Sequence, residues 1–560
     1  MKKRRILSAA IAIALMASLA LSGCSGDDKG NSTSSGSESS ADSTASVSQT
    51  ADDSEDSDSS IDEDAPAEML EGGDITLTFF DKNTGNGFTD PVAQKIIEET
   101  GVNLEIQQPT GDPEEKLNLM LASGDLPDIV LMDRRSDIVK RYIAAGGLIP
   151  LNELIDEFGP NITEMYGDVL NKSRYPDDGL NYYLNNWYGV DPDPDRGINI
   201  RMDLLQELGY GDKAMAGEYF SQEEFIQILK EFKEKYPDEI PFTLSGESME
   251  SVYSTFRGMY GMKFYYEDGD QIKLHVRDPR YLEMMKFISG LYRDGLIDKE
   301  WAVNNSKTLE QKLINGTIMA TAGVGDANKV FKNEEGPESE KQYYMFKVVA
   351  EGTDPDETTF SPRSSLGWDA IGITATNEYP EETMKFMDYL AKEEGQYMLL
   401  WGLEGEQWEM VDGKHKPIDG VLESFQKDWD NYSKDTGARK WLWFVKNGYG
   451  TDGTPYDMAV RYELDKVGTH ARISMKNSVW DTAVYDDLGP TGGTPQAVQE
   501  QVLKDVMDAG FTKMAFAESE EEVETLYNAM IAELDSNNAA DIEKIFTENY
   551  EASLKLQGLK

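Results

Sequence analysis

The chain has 560 residues, with 53 lysines and arginines against 104 aspartates and glutamates, for a formal net charge of −51. So acidic a surface repels phosphate backbones and anionic lipid heads, which argues against nucleic acid as a partner. One cysteine excludes an internal disulfide framework and every multi-cysteine metal site, and three histidines (His275, His415 and His470) leave little for a histidine-based centre. Hydrophobic residues make up 39% of the chain, enough for a sizeable core in two to four domain-sized units.

The N-terminus reads as targeting and tether. Lys2, Lys3, Arg4 and Arg5 form a positive patch, and residues 6–20 form an apolar run the length of a signal h-region, short for a membrane span. Leu21-Ser22-Gly23-Cys24 then resembles a bacterial lipobox. The resemblance implies cleavage after residue 23, lipidation of Cys24 and a cell-membrane anchor on the extracytoplasmic face. Residues 24–72 are rich in Ser and Asp, with almost nothing aliphatic to offset the entropy of ordering, so a disordered tether is expected. Fourteen acids and one lysine give the tether −13, leaving −42 for residues 73–560 once the positive patch is set aside.

The body opens on strand, helix, strand. Residues 75–80 read as a buried strand; Asp90-Pro91 starts a helix that stops before Gly101, and 102–106 is a second strand. Asp112 at an N-cap, Pro113 at N1 and Glu115 at N3 start a helix burying Leu117, Met120 and Leu121. A third strand at 128–132 and a third helix at 137–145 follow. Such alternation predicts a mainly parallel sheet with ligands beyond the carboxyl ends of its strands, here Asp81-Lys82-Asn83 and Asp133-Arg134. Further on, Ser221 and Glu224 form a capping box, Asp278-Pro279 starts a helix closing at Gly295, and Met384, Met387 and Leu390 share a helix face ending at Gly395. Val523, Leu526, Tyr527, Met530, Ile531 and Leu534 make an apolar stripe near the C-terminus.

Four segments, in order, resemble extracellular solute-binding proteins of ABC importers. They are Ala122-Ser123-Gly124-Asp125-Leu126-Pro127-Asp128-Ile129, Leu291-Tyr292-Arg293-Asp294-Gly295-Leu296-Ile297, Leu366-Gly367-Trp368-Asp369-Ala370-Ile371-Gly372-Ile373, and Gly402-Leu403-Glu404-Gly405 with Trp408. The last is similar to the large lipoprotein branch that handles oligosaccharides, the LplA-like and alginate-binding group. The resemblance implies a two-lobe α/β fold of the type II periplasmic-binding-protein kind, each lobe a mainly parallel sheet flanked by helices, with an oligosaccharide held in the cleft and passed to permease subunits. It places crossings near 186–199 and 364–368, with lobe 1 as 73–186 and 368–470 and lobe 2 as 187–367 and 471–560. A monomer is expected, with no cofactor. Relatives often carry a calcium loop before Asp-Glu-Ile-Pro; here Pro237 runs straight into Asp238-Glu239-Ile240-Pro241, so no metal is expected. The acidic stretch 191–195 reads as a solvated loop, because Arg196 stands where an EF-hand glycine belongs.

Aromatic rings stack on the C–H face of a sugar, while carboxylates, amides and guanidinium groups bond its hydroxyls. Six of nine tryptophans fall between Trp368 and Trp443. Trp368 and Trp408 are the foremost candidates, with Trp187 at the first crossing. Asp81, Asn83, Asp133 and Asp369 are candidates at strand ends, against capping or turn formation. Glu404 bonds a hydroxyl or fixes a turn; Arg201 reaches ligand or pairs with a nearby acid. There is no G-x-S-x-G, H-E-x-x-H or P-loop, and Gly448-Tyr449-Gly450-Thr451-Asp452-Gly453 lacks the strand and helix of a dinucleotide site, so a loop is expected there. An enzyme is not expected. The alternatives are a secreted lipoprotein glycoside hydrolase using a carboxylate pair, or a binding protein for peptide or another small solute. The acidity of the body favours a neutral or weakly charged oligosaccharide.

Overall fold

The computed structural model describes residues 75–560 apart from 84–86, 247–248, 324–326, 330 and 332–338. Cys24, the signal region and the tether lie outside the described residues. Strand β1 (Ile75–Phe80) pairs in parallel with β2 (Val102–Gln107) and with β3 (Ile129–Asp133). Helix α1 (Pro91–Thr100) is capped by Asp90, whose carboxylate accepts the Ala93 N–H at 2.9 Å, and ends at Gly101 in the left-handed region at φ 69°. Helix α2 (Pro113–Ser123) begins in the same way, with Asp112 accepting from Glu114 and Glu115. These local signals set the spacing that brings the three strands side by side.

The first sheet is completed by the strand Asp369–Ile373 and by β4 (Leu184–Asn186), in the order β2-β1-β3-(369–373)-β4. Four of these strands run one way, and only 369–373 opposes them. The second sheet has the order (343–346)-β5-(318–322)-(240–244), where β5 spans Ile198–Arg201 and again one strand, β5, opposes three. In each sheet the reversed strand is the first one the chain forms after a long-range crossing. Alternation of helix and strand within a lobe cannot foretell that reversal.

Side-chain alternation separates two cores on the first sheet. Leu77, Phe79, Ile129, Leu131 and Ile371 pack on one face, and Phe80, Val130, Met132 and Ala370 on the other. A third and larger core gathers Ile198, Ile200, Phe242, Ala320 and the C-terminal helices Pro495–Ala515, Glu520–Ser536 and Ala539–Leu556. Of the C-terminal stripe, Val523, Met530 and Leu534 are buried there, and Leu526, Tyr527 and Ile531 are partly buried against it. The chain forms two bodies: residues 77–188 and 366–444 supply one core of the first sheet and residues 198–360 and 471–546 the larger core, with Ala483 alone returning to the former. A short parallel ladder of Ser361–Arg363 with Val479–Asp481 lies between them.

One expected helix end is corrected. The helix Pro380–Ala391 stops before Gly395, which instead lies inside the next helix, Glu393–Trp401. A Cβ at Gly395 would stand 2.5 Å from the Leu390 carbonyl oxygen, so this glycine permits close backbone approach rather than terminating a turn.

Candidate functional site in the interlobe cleft

The carboxyl ends of β1 and β3 carry a polar knot. Asp369, one residue beyond the second crossing, pairs in register with Asp133 and Asn186. It is buried, with Lys82 Nζ 2.7 Å from Oδ1 and Asn83 Nδ2 donating to Oδ2 at 3.3 Å. Burial pushes the Asp369 carboxyl above its ordinary range, Lys82 and Asn83 pull it back, and the nearby Asp133 charge adds to the rise. Asp133 accepts the Arg135 N–H at 2.9 Å in the turn leading into the helix Asp137–Ala144. Asp81 points inward. It is buried and accepts the Trp443 indole N–H and the Asn83 N–H, each at 2.8 Å. Asp81 therefore holds the strand-end turn rather than facing the cleft.

The crossings themselves carry the aromatics. Trp187 follows β4 in the left-handed region at φ 58°, a costly place for a bulky residue. Gly367, at φ 66°, lets the second crossing lie against it: a Cβ there would fall 2.1 Å from the Asn186 carbonyl oxygen. Arg134 fixes this segment, its backbone N–H bonded to the Trp368 carbonyl at 2.9 Å and its Nε–H to the Gly367 carbonyl at 3.1 Å. Trp187 and Trp368 consequently stack, with ring centroids 5.3 Å apart and planes 17° apart.

Arg439 extends this group. Its guanidinium sits over the Trp187 ring at 5.7 Å and over the Trp429 ring at 4.2 Å, while Asp457 grips it through two bonds of 3.0 and 2.8 Å. Trp368 and Trp429 keep 40% and 37% of their surface exposed. Exposed indoles held rigidly are an expensive arrangement for a surface without a ligand.

Across from the β3 end, a cavity of about 540 Å³ separates Arg135, Asp137 and Lys140 from Glu250, Arg257 and Phe264 of the other body. Arg257 is buried, ion-paired to Glu250 at 2.5 Å and lying over the Phe264 ring at 5.5 Å. One side of this cavity is the segment Tyr485–Pro490, tied down by Asp486. That carboxylate takes Arg134 Nη2 at 2.7 Å and the Ser364 hydroxyl. A second cavity of about 410 Å³, lined by Tyr175, Tyr182, Tyr183 and Leu556, also abuts this segment.

Three sequence candidates fall elsewhere. Trp408 is 9% exposed, donates its indole N–H to the Gly402 carbonyl at 2.9 Å and packs among Tyr397, Trp401 and His415. It is a core residue. Glu404 is exposed on the turn preceding Trp408. Arg201 is buried, its guanidinium held by Asp203 at 2.8 and 2.6 Å and lying over Phe331, so its charge is spent within its own body. Residues 191–195 are not a solvated loop. Asp191 and Asp193 are bound by Arg461, and Asp193 also by Arg472 at 2.6 Å. The 448–453 loop is a turn in which Asp452 accepts the Thr454 and His415 backbone N–H groups, and the next helix is the single turn Met458–Arg461. Among the described residues no group of three or more His, Cys, Asp or Glu is placed to hold a metal ion.

Trp429, Arg439, Arg257 and Phe264 were not singled out from sequence. Only the tryptophan cluster hinted at the first of them.

The family model described as bacterial extracellular solute-binding protein matches residues 81–397, more than half the chain. This chain belongs to that family. Among curated relatives, the solute-binding protein is 26% identical over 400 residues to the fructooligosaccharide ABC transporter substrate-binding protein FusA of Streptococcus pneumoniae, covering 62% of this chain and 68% of that one. It is 25% identical over 356 residues to the polygalacturonan/rhamnogalacturonan-binding protein YtcQ of Bacillus subtilis, covering 61% and 67%. Among solved structures it resembles an extracellular solute-binding protein from Bifidobacterium longum subsp. infantis (TM-score 0.64, 17% identity, 87% of this chain and 100% of that one). It also resembles the alginate-binding protein AlgQ2 (TM-score 0.58, 21% identity, 85% and 98%). At these identities the structures speak for the fold alone, which is the two-lobe α/β architecture. No helix of the described residues is long and apolar enough to cross a membrane.

Proposed function

We propose that this solute-binding protein captures a neutral or weakly charged oligosaccharide in the interlobe cleft and passes it to the permease of an ABC importer. The observation that carries the reading is the stacked Trp187–Trp368 pair beside the strand ends of the first sheet, with Trp368 offering an exposed indole face for a sugar ring. Asn83, Asp133 and Asp369 lie beside it, and Arg257 and Phe264 line the cavity against residues 485–490. The names of FusA and YtcQ support a carbohydrate.

Charge chooses between those two. The larger cavity is lined by Arg135, Lys140, Arg257 and Lys504 but by six carboxylates, among them Asp137, Glu250 and Glu500. A polyuronate entering such a cleft meets net repulsion, and a neutral glycan does not. The lipobox and the −13 tether support an anchor on the outer face of the cell membrane that holds the body away from the bilayer.

Calorimetric titration with fructooligosaccharides, xylo- and manno-oligosaccharides and oligogalacturonides tests the ligand class. Binding of a neutral glycan is expected. Tight binding of oligogalacturonides alone would overturn the charge argument, and binding of a peptide alone would overturn the sugar. Incubation with the bound glycan should release no shorter sugars; release would favour the hydrolase reading. Cys24→Ala should abolish labelling by palmitate and free the protein into the medium.

A further inference from the structure

The three crossings are joined by one web of charge. The first contributes Asp191, Asp193, Asp195 and Arg196, the second Arg363, and the third is flanked by Arg461 and Arg472. Arg461 donates Nε–H to Asp193 at 2.5 Å and binds Asp191 through Nη2. Arg472 donates Nε–H to the other oxygen of Asp193 at 2.6 Å and Nη1–H to the Tyr449 hydroxyl at 2.9 Å. Arg363 lies 3.3 Å from Asp195 and 3.8 Å from Asp191, and bonds the Asp193 carbonyl at 3.3 Å. Arg196 lies 3.7 Å from Asp195 and donates to the Ser254 hydroxyl at 2.8 Å. Shared carboxylates thus bridge Arg363 to Arg461 and Arg461 to Arg472.

The web does not balance. Four guanidinium groups face three carboxylates, an excess of one positive charge, and the adjoining Asp457 is already matched by Arg439. One donor on each of three arginines has no partner although the atom is buried: Arg363 Nε, Arg461 Nη1 and Arg472 Nη2. The whole Arg461 side chain is more than nine-tenths buried. Buried, unpartnered guanidinium donors on three arginines of one web that carries an uncompensated charge are the chemistry of an anion site. Asp195 Oδ1 is also unpartnered in the web, so a water must accompany any anion there, and a second negative charge would be opposed.

We propose that this hinge web binds one small monovalent anion, chloride or a free carboxylate of acetate size, through Arg363, Arg461 and Arg472. Among the described residues the three guanidinium groups bond only Asp191, Asp193, Asp195 and Tyr449 and reach the tryptophans no nearer than through Asp457 and Arg439, and the anion is read without glycan, so its failure and that of the sugar reading are separable. The test uses the full chain without glycan, in chloride, acetate or gluconate at constant ionic strength. Thermal denaturation should move upward with chloride or acetate and not with the bulkier gluconate; which of the two acts names the source. Arg363→Lys keeps the charge but removes the Nε–H, and should raise the half-saturating anion concentration at least ten-fold. A crystal soaked in bromide should show an anomalous peak in contact with Arg461 Nη1. Equal melting in all three salts with no such peak overturns the proposal. A peak accompanied by melting that ignores the anion identifies an adventitious ion only, and overturns it as well.

Discussion

Replacing Trp368 with alanine should weaken glycan binding while leaving the fold intact. A tryptophan side chain offers about 250 Å² for burial. With 40% exposed, about 100 Å² remains for a ligand, a ceiling of about 2.5 kcal/mol at ~25 cal/mol per Å². A sugar ring covers one face of an indole, so about half of that ceiling is realised, and the stacked pair with Trp187 holds the ring in place at no further cost on binding. The expected loss of 1–2 kcal/mol corresponds to a dissociation constant raised about five- to thirty-fold. In the folded protein the other ~150 Å² of the indole is buried, worth up to about 3.7 kcal/mol, with about 0.5–1.5 kcal/mol more for the stacked pair, so the variant should melt clearly lower while circular dichroism at the assay temperature is unchanged. The assay is titration calorimetry of wild type and Trp368→Ala against whichever neutral oligosaccharide binds. A shift of less than about two-fold, or about 0.4 kcal/mol, in a variant that melts cooperatively would refute the idea that this face receives the ligand.

Trp408→Ala should behave in the opposite sense, losing about 3–5 kcal/mol of stability from a buried cavity while the fraction that stays folded binds glycan as tightly as before. Gly367→Ala should reduce stability and binding together, since strain of about 1–3 kcal/mol and a clash with the Asn186 carbonyl displace Trp368; normal melting would contradict this. Burial depresses His275, with Arg257 adding to the effect, and it depresses His470 against a bond to the Ala214 carbonyl. Below the ordinary histidine value near 6.5 the unfolded chain therefore binds more protons than the folded one. Stability from these imidazoles is full above that value and falls as the pH drops, by up to about 1.4 kcal/mol per pH unit for each. Denaturant unfolding at pH 7.5 and 5.5 measures the slope, and His470→Gln should flatten it.

The first three strands and their helices were legible because their signals are local: Asp90, Asp112 and Gly101 act within four residues of themselves. Trp368 and Trp408 looked alike in sequence, each in a familiar segment. What separates them is distant packing, since Tyr397 and His415 close over Trp408, whereas Trp368, stacked on Trp187, keeps 40% of its surface exposed. The acidic loop was misread for the same reason. The arginines that neutralise Asp193 are 268 and 279 residues away, beyond the reach of any spacing argument. Arg439 gave no sign of its place between two tryptophans, because a left-handed arginine held by Asp457 leaves no local pattern. Gly395 shows the converse error, a glycine chosen for proximity that reads as punctuation.

The two stacked tryptophans stand where the joining segments leave the first body: Trp187 packs against its core and the Trp368 carbonyl is bonded to Arg134. In any rotation of one body against the other, a side chain travels in proportion to its distance from the pivot. If the joining segments serve as the pivot, Trp187 and Trp368 would scarcely move, whereas Arg257 and Phe264, in the other body, would travel further. A sugar docked on the indoles would therefore be held equally by the open and shut forms and would not itself favour closure. The preference for the shut form has to come from the far wall. Mutations on the pivot should accordingly alter how readily a glycan is first caught, and mutations at Arg257 or Phe264 how long the shut complex persists.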